Sequence, residues 1–154
     1  MRGLLRAAVA ISILAYALRG AAQQQDRGHW QAASNTAASI TGDIAISNTK
    51  LTIDFKSFVV APIRSLKPAE VSAVFDADVN TTGPGSLYRL NVPAEQRFVH
   101  KNTLCGREST QWMATYVAGK TLEVAFFAGD AEPLFSFDAI AHSPNLCGTY
   151  AYMR

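Results

Sequence analysis

Asp76, Asp78, Asn80 and Thr82 place oxygen ligands at alternate positions, the spacing of a calcium-binding loop. Such a loop needs Gly at its sixth position and a bidentate Glu at its twelfth, where this chain has Thr81 and Leu87. Without that carboxylate the stretch reads as the polar end of a strand running into a turn. Asn80-Thr81-Thr82 has the form of a glycosylation acceptor and marks a loop. His142 and Ser143 are adjacent in sequence, which does not set a base against a nucleophile. No G-x-S-x-G occurs, and Gly83-Pro84-Gly85-Ser86 lacks the strand-to-helix setting of a nucleophile elbow. A triad would have to be assembled in space from separate strands. Glu123 shares a strand face with Thr121, Ala125 and Phe127, expected to be the solvated side; burial there would raise its pKa toward acid–base use. His29, His100 and His142 are never three or four residues apart. We therefore assign no catalytic, cofactor-binding or metal residue and expect no enzyme.

The site residues that do stand out are Cys105 and Cys147, the only cysteines, each inside a Leu-Cys-Gly tripeptide. Two cysteines alone cannot complete a structural zinc site, and no C-x-x-C spacing is present. In an oxidising compartment an even count reads as a disulfide, and one pair allows one intramolecular connectivity.

The start of the chain argues for such a compartment. Arg2 and Arg6 precede twelve uncharged residues, Ala7 to Leu18, and Gly20 and Ala22 supply the small side chains of a cleavage site. The apolar stretch is too short to span a bilayer, which takes roughly twenty residues. The expected organisation is a signal peptide at 1–22, a flexible arm at 23–38 carrying Trp30, and one domain at 39–154. Of 14 Lys and Arg, three (Arg2, Arg6, Arg19) leave with the signal, so 11 basic residues face 12 acidic ones. No basic run remains to neutralise phosphates, which argues against a nucleic-acid partner and against electrostatic docking on a membrane.

The elements that must position these residues are mostly strands. Ile40, Gly42, Ile44 and Ile46 alternate with polar or small residues, then Leu51, Ile53 and Phe55 do so after Asn48-Thr49. Two period-two runs around a turn pair predict a hairpin with one buried face. Phe58–Ile63, Val71–Phe75, Leu87–Val92, 111–117, 122–127, Leu134–Phe137 and Thr149–Met153 complete the candidate strands. The 111–128 hairpin is the clearest, with Trp112 on a buried face and Gly119 free to take positive φ in a tight turn. Pro68 and Glu70 suit a helix start, and Pro93–Gln96 looks similar; single turns are expected at both. The fold expected is all-β, a small antiparallel sandwich or barrel of about eight or nine strands with one disulfide; the alternative is α+β with a short helix near 67–75. The aromatics of the later strands could line a cavity or fill a core, and eight strands enclose a space that side chains just fill.

Ser39-Ile40-Thr41-Gly42-Asp43-Ile44, Leu104-Cys105-Gly106, Val124-Ala125-Phe126-Phe127 and Leu146-Cys147-Gly148-Thr149-Tyr150-Ala151-Tyr152 together resemble a group of small exported bacterial proteins with paired Leu-Cys-Gly motifs. The resemblance implies an envelope location and contributes no activity. Periplasmic or secreted protein is the expectation, with no stable membrane insertion after signal cleavage. The expected role is non-catalytic binding of a protein, glycan or small apolar ligand, such as another envelope protein. A structural or stress-related component, and an enzyme whose residues converge from separate strands, are the alternatives.

Overall fold

The computed structural model describes residues 25–80 and 83–154; the expected signal segment, Thr81 and Thr82 lie outside them. Eight strands follow one another: β1 (Gly28–Ala32), β2 (Ile44–Ile46), β3 (Lys50–Ile53), β4 (Lys56–Leu66), β5 (Gly85–Val92), β6 (Thr110–Ala118), β7 (Thr121–Phe127) and β8 (Leu146–Met153). Each pairs antiparallel with the next, and β8 returns to β1 through Gln31 opposite Met153 and Ala32 opposite Tyr152. The all-β expectation is met, as a closed barrel. Closure removes the exposed edges that an open sheet would present. It is incomplete along β4, whose pairing with β3 runs only from Lys56 to Val59. Pro62 and a register shift between Pro62 and Arg64 fall in the part that outruns β3. There a missing N–H costs no ladder bond on the open side.

The period-two pattern builds two cores, one on each side of the wall. Inside the barrel, Trp30, Leu51, Met113, Leu122, Phe126 and Tyr152 are wholly buried. On the outer face of β5–β7, Leu87, Trp112, Tyr116, Ala125 and Phe127 form a second cluster with Leu66, Val71 and Val74. Helix α2 (Pro68–Phe75) and the β7–β8 connection, with Phe135 and Ile140, cover it. Trp112 lies in this outer cluster, its Nε1 donating to Gly129 O at 3.1 Å, while Tyr150 and Tyr152 pack inside with Val117. So both faces of β6 are buried. Gly119 takes φ 59 between Ala118 and its partner Thr121, as expected.

Several elements differ from the sequence reading. The arm expected at 23–38 instead contributes β1 and most of helix α1 (Asn35–Ile40), because the Ser34 hydroxyl caps that helix at Ala37 N and Trp30 is buried in the barrel. Ile40 therefore ends a helix, and the strand begins only at Ile44. Val71–Phe75 is helical, not a strand: Pro68 opens α2, and the Glu70 carboxylate accepts from Lys67 N at 2.8 Å. The helix named in the α+β alternative thus exists, as an outer cover on a barrel. Leu134–Ser136 is loop, and Phe137 opens helix α3 (Phe137–Ala141), capped by Ser136. Pro93–Gln96 is a single turn closed by Gln96 N on Pro93 O. Glu123 is half-buried, and burial raises its pKa, because the outer layer covers much of the face expected to be solvated.

Candidate functional site

Phe55 departs furthest from its pattern. Alternation with Leu51 and Ile53 assigns it to a buried face, yet its side chain is 100 % exposed. The cause is a two-residue turn: Ile53 pairs with Lys56, leaving Asp54 (φ 48) and Phe55 (φ 64) as the tip. Two consecutive positive φ values are the pattern of a type I′ turn, where Asn-Gly is the usual choice. An L-residue in that conformation costs about 1–2 kcal/mol. His100 (φ 53) and Lys101 (φ 61) repeat the feature in the β5–β6 connection. Four of the five non-glycine residues with positive φ among the described residues therefore lie in two loops at one end of the barrel. Only Asp76, at the C-terminal cap of α2, lies elsewhere.

These two loops flank a groove of about 430 Å³ lined by His29, Thr41–Ala45, Thr52, Asp54, Phe55 and Val99. The tip is braced. Lys56 Nζ donates to Arg97 O at 2.8 Å, pairs with Asp54 Oδ2 at 3.2 Å and lies 5.5 Å from the Phe98 ring centroid. Phe98 in turn meets Phe58 edge to face at 5.9 Å. Asp43 uses Oδ1 to accept from Ala32 N at 2.8 Å; no described residue bonds its second oxygen. Thr52 and Ser57 share a hydrogen bond of 2.9 Å across β3–β4. Thr41 is committed inward, to Ala37 O, Gly42 O and the Tyr152 hydroxyl. The groove thus offers a carboxylate oxygen, a hydroxyl, an imidazole and a bare aromatic ring on a fixed frame.

A second polar cluster lies at the other end, inside the wall. Asp26 is 1 % exposed; its Oδ2 accepts from the Tyr88 hydroxyl and the Thr115 hydroxyl, both at 2.7 Å. Its Oδ1 and the buried Ser86 Oγ have no hydrogen-bond partner among the described residues. Burial raises the Asp26 pKa against the opposing pull of the two hydroxyls, and burial with the Asp26 charge pushes the Tyr88 phenol up. A perturbed carboxylate is an active-site signature only where substrate can reach it. Here it ties the first described residues to the barrel, assisted by Trp30 Nε1 on Asp26 O at 2.8 Å.

The other sequence candidates stay apart. Asp138 Oδ1 lies 3.4 Å from His142 Nδ1, but both are exposed, and the Ser143 hydroxyl accepts from Asn145 N and Leu146 N as a turn brace. In the stretch read against a calcium loop, Asn80 N donates to Asp78 Oδ1, a local turn bond, while Thr82 lies outside the described residues. No group of three or more His, Cys, Asp or Glu among the described residues could hold a metal ion. Cys105 and Cys147 are bonded, with Cα atoms 4.9 Å apart, inside the expected range of roughly 4.4–6.8 Å. No described helix is long and apolar enough to cross a membrane. The one signal that could have exposed the groove in the sequence is Asp54-Phe55 itself. Without Gly or Asn it does not announce a turn.

No known family, curated protein or solved structure matches the chain.

Proposed function

We propose that this chain is an exported, non-catalytic binding module that meets its ligand on the outside of the barrel, in the groove beside Phe55. The observation that carries the reading is a large apolar ring held wholly in water on strained backbone. Strain of this kind persists where surrounding structure over-determines it, and such positions cluster at functional sites. The filled barrel interior weighs against the small apolar ligand considered from the sequence, since Trp30, Met113, Phe126 and Tyr152 occupy that space. The Cys105–Cys147 bond suits an oxidising, extracytoplasmic compartment.

Export is checked by intact mass, with loss of residues 1–22 expected. The binding reading is checked by placing the photoreactive residue p-benzoylphenylalanine at position 55 of the full chain in its source cell. Adducts should form from position 55 and not from position 79, an exposed apolar site in the β4–β5 connection at the other end of the barrel. Equal adduct yields at the two positions, or none at either, would remove the reading.

A further inference from the structure

We infer that the groove binds a neutral pyranose ring, stacked on Phe55 and hydrogen-bonded from the groove floor. The inference rests on the binding-module reading and adds the ligand class. A pyranose has one amphipathic feature that few other ligands share: a face of C–H groups with a rim of hydroxyls that both donate and accept. Its C–H face suits the electron-rich face of an aromatic ring, and Phe55 is exposed with no polar atom of its own. Its rim needs short, fixed acceptors and donors beside that ring, which Asp43, Thr52 and His29 provide.

The alternatives fit less well. An apolar ligand would leave the Asp43 oxygen buried without a partner, which is costly. An anionic ligand would meet the carboxylates of Asp43 and Asp54. A lysine or arginine from a partner protein would find Asp54 already paired with Lys56 at 3.2 Å, and that ammonium would repel it. The groove, at about 430 Å³, lies within the range of small-ligand sites, about 300–1,000 Å³. The braces through Lys56 and Phe98 fix the turn that carries Phe55 before binding, so its backbone needs little further ordering.

The test is titration of the folded, oxidised protein with cellotetraose, chitotetraose, maltotetraose, mannotetraose and oligogalacturonate, read by amide NMR shifts and saturation transfer to sugar protons. At least one neutral tetrasaccharide should bind saturably, shifting residues 43–45 and 52–56, and oligogalacturonate should not. Phe55→Ala should weaken binding about five- to tenfold, the worth of one aromatic contact, and Phe55→Trp should retain it. Asp43→Asn, which keeps the oxygen that accepts from Ala32 N, should weaken it several-fold. If no neutral sugar binds up to about 10 mM, beyond the weakest useful affinities, the pyranose is ruled out. Binding that ignores both variants rules it out equally. A discrete protein adduct from position 55 without sugar binding would leave the binding module standing with a polypeptide ligand. The absence of both removes both readings.

Discussion

Phe55 carries a cost in the free protein that another residue would not. Asn tolerates the left-handed region and has no exposed ring. Phe55→Asn should therefore raise stability by roughly 0.5–1 kcal/mol in urea unfolding while losing ligand, the trade expected of a strained binding residue. A fall in stability would mean that the ring already packs on something in the free chain. Asp26 gives a second residue-scale expectation, in pH. Burial raises its folded-state pKa above the unfolded value of about 3.9. Its contribution to stability is thus fully present below that value and is lost as pH rises through the folded-state pKa. Glu123 has the same sign, whereas Glu70, lowered by the Arg64 guanidinium, contributes above its unfolded pKa and loses that contribution in acid. Asp26→Asn keeps an acceptor for Tyr88 and Thr115 but never ionises. The melting temperature of variant minus wild type should climb as pH rises above about 4, whatever its offset. Parallel curves would show that Asp26 does not titrate differently in the two states.

At the scale of elements, two glycines separate two causes of destabilisation. A Cβ at Gly119 would touch nothing within 4 Å, but φ 59 is strained for any L-residue. Gly119→Val should cost about 1–2 kcal/mol through backbone alone. A Cβ at Gly85 would lie 2.6 Å from Val71 Cγ2, where α2 crosses the wall. Gly85→Ala should push α2 off β5, and Val71→Ala should partly rescue it, a coupling that a double-mutant cycle reads directly. Trp112→Ala, in the same outer layer, should cost about 3 kcal/mol, the lower end for a buried aromatic, because a 4.6 Å stack on Arg89 keeps it near the rim. The strands of this layer were legible because Trp112, Ala114 and Tyr116 alternate cleanly with Met113, Thr115 and Val117. What alternation does not reveal is which set faces the barrel, since an outer layer buries both. Nor does it reveal short helices. Six residues of α1 and five of α3 are too few to display a 3.6-residue period, so only their caps, Ser34 and Ser136, could have marked them. The groove was hidden for a different reason: its residues come from β1, the α1–β2 turn, β2, β3, the β3–β4 tip and the loop at Val99, and converge only on folding.

At the scale of the whole molecule, barrel closure depends on contacts between opposite ends of the chain. β1 meets β8 through two residue pairs, and the Arg154 guanidinium adds a stack 4.3 Å from Trp30 and a bond to Arg27 O. β8 is held more firmly on its other side, along β7 from Leu146 to Met153. The disulfide reinforces that side, tying the β5–β6 connection at Cys105 to the start of β8 at Cys147 across a separation of 42 residues. A loop of this length restricts the unfolded chain by roughly 4 kcal/mol, an upper figure because native strain and residual structure subtract from it. Replacing both cysteines by Ala should therefore lower stability by about 2–4 kcal/mol without opening the barrel, since none of the strand pairings depends on the sulfur atoms. Hydrogen exchange distinguishes this from a structural role for the bond. If the loss is in the unfolded state, protection should fall by a similar factor in every slowly exchanging strand. If the bond instead holds β8 in place, protection should collapse in β8 and β1 while β5–β7 keep theirs. The pairing of β8 with β7 over its whole length favours the first outcome, and a local collapse would overturn it.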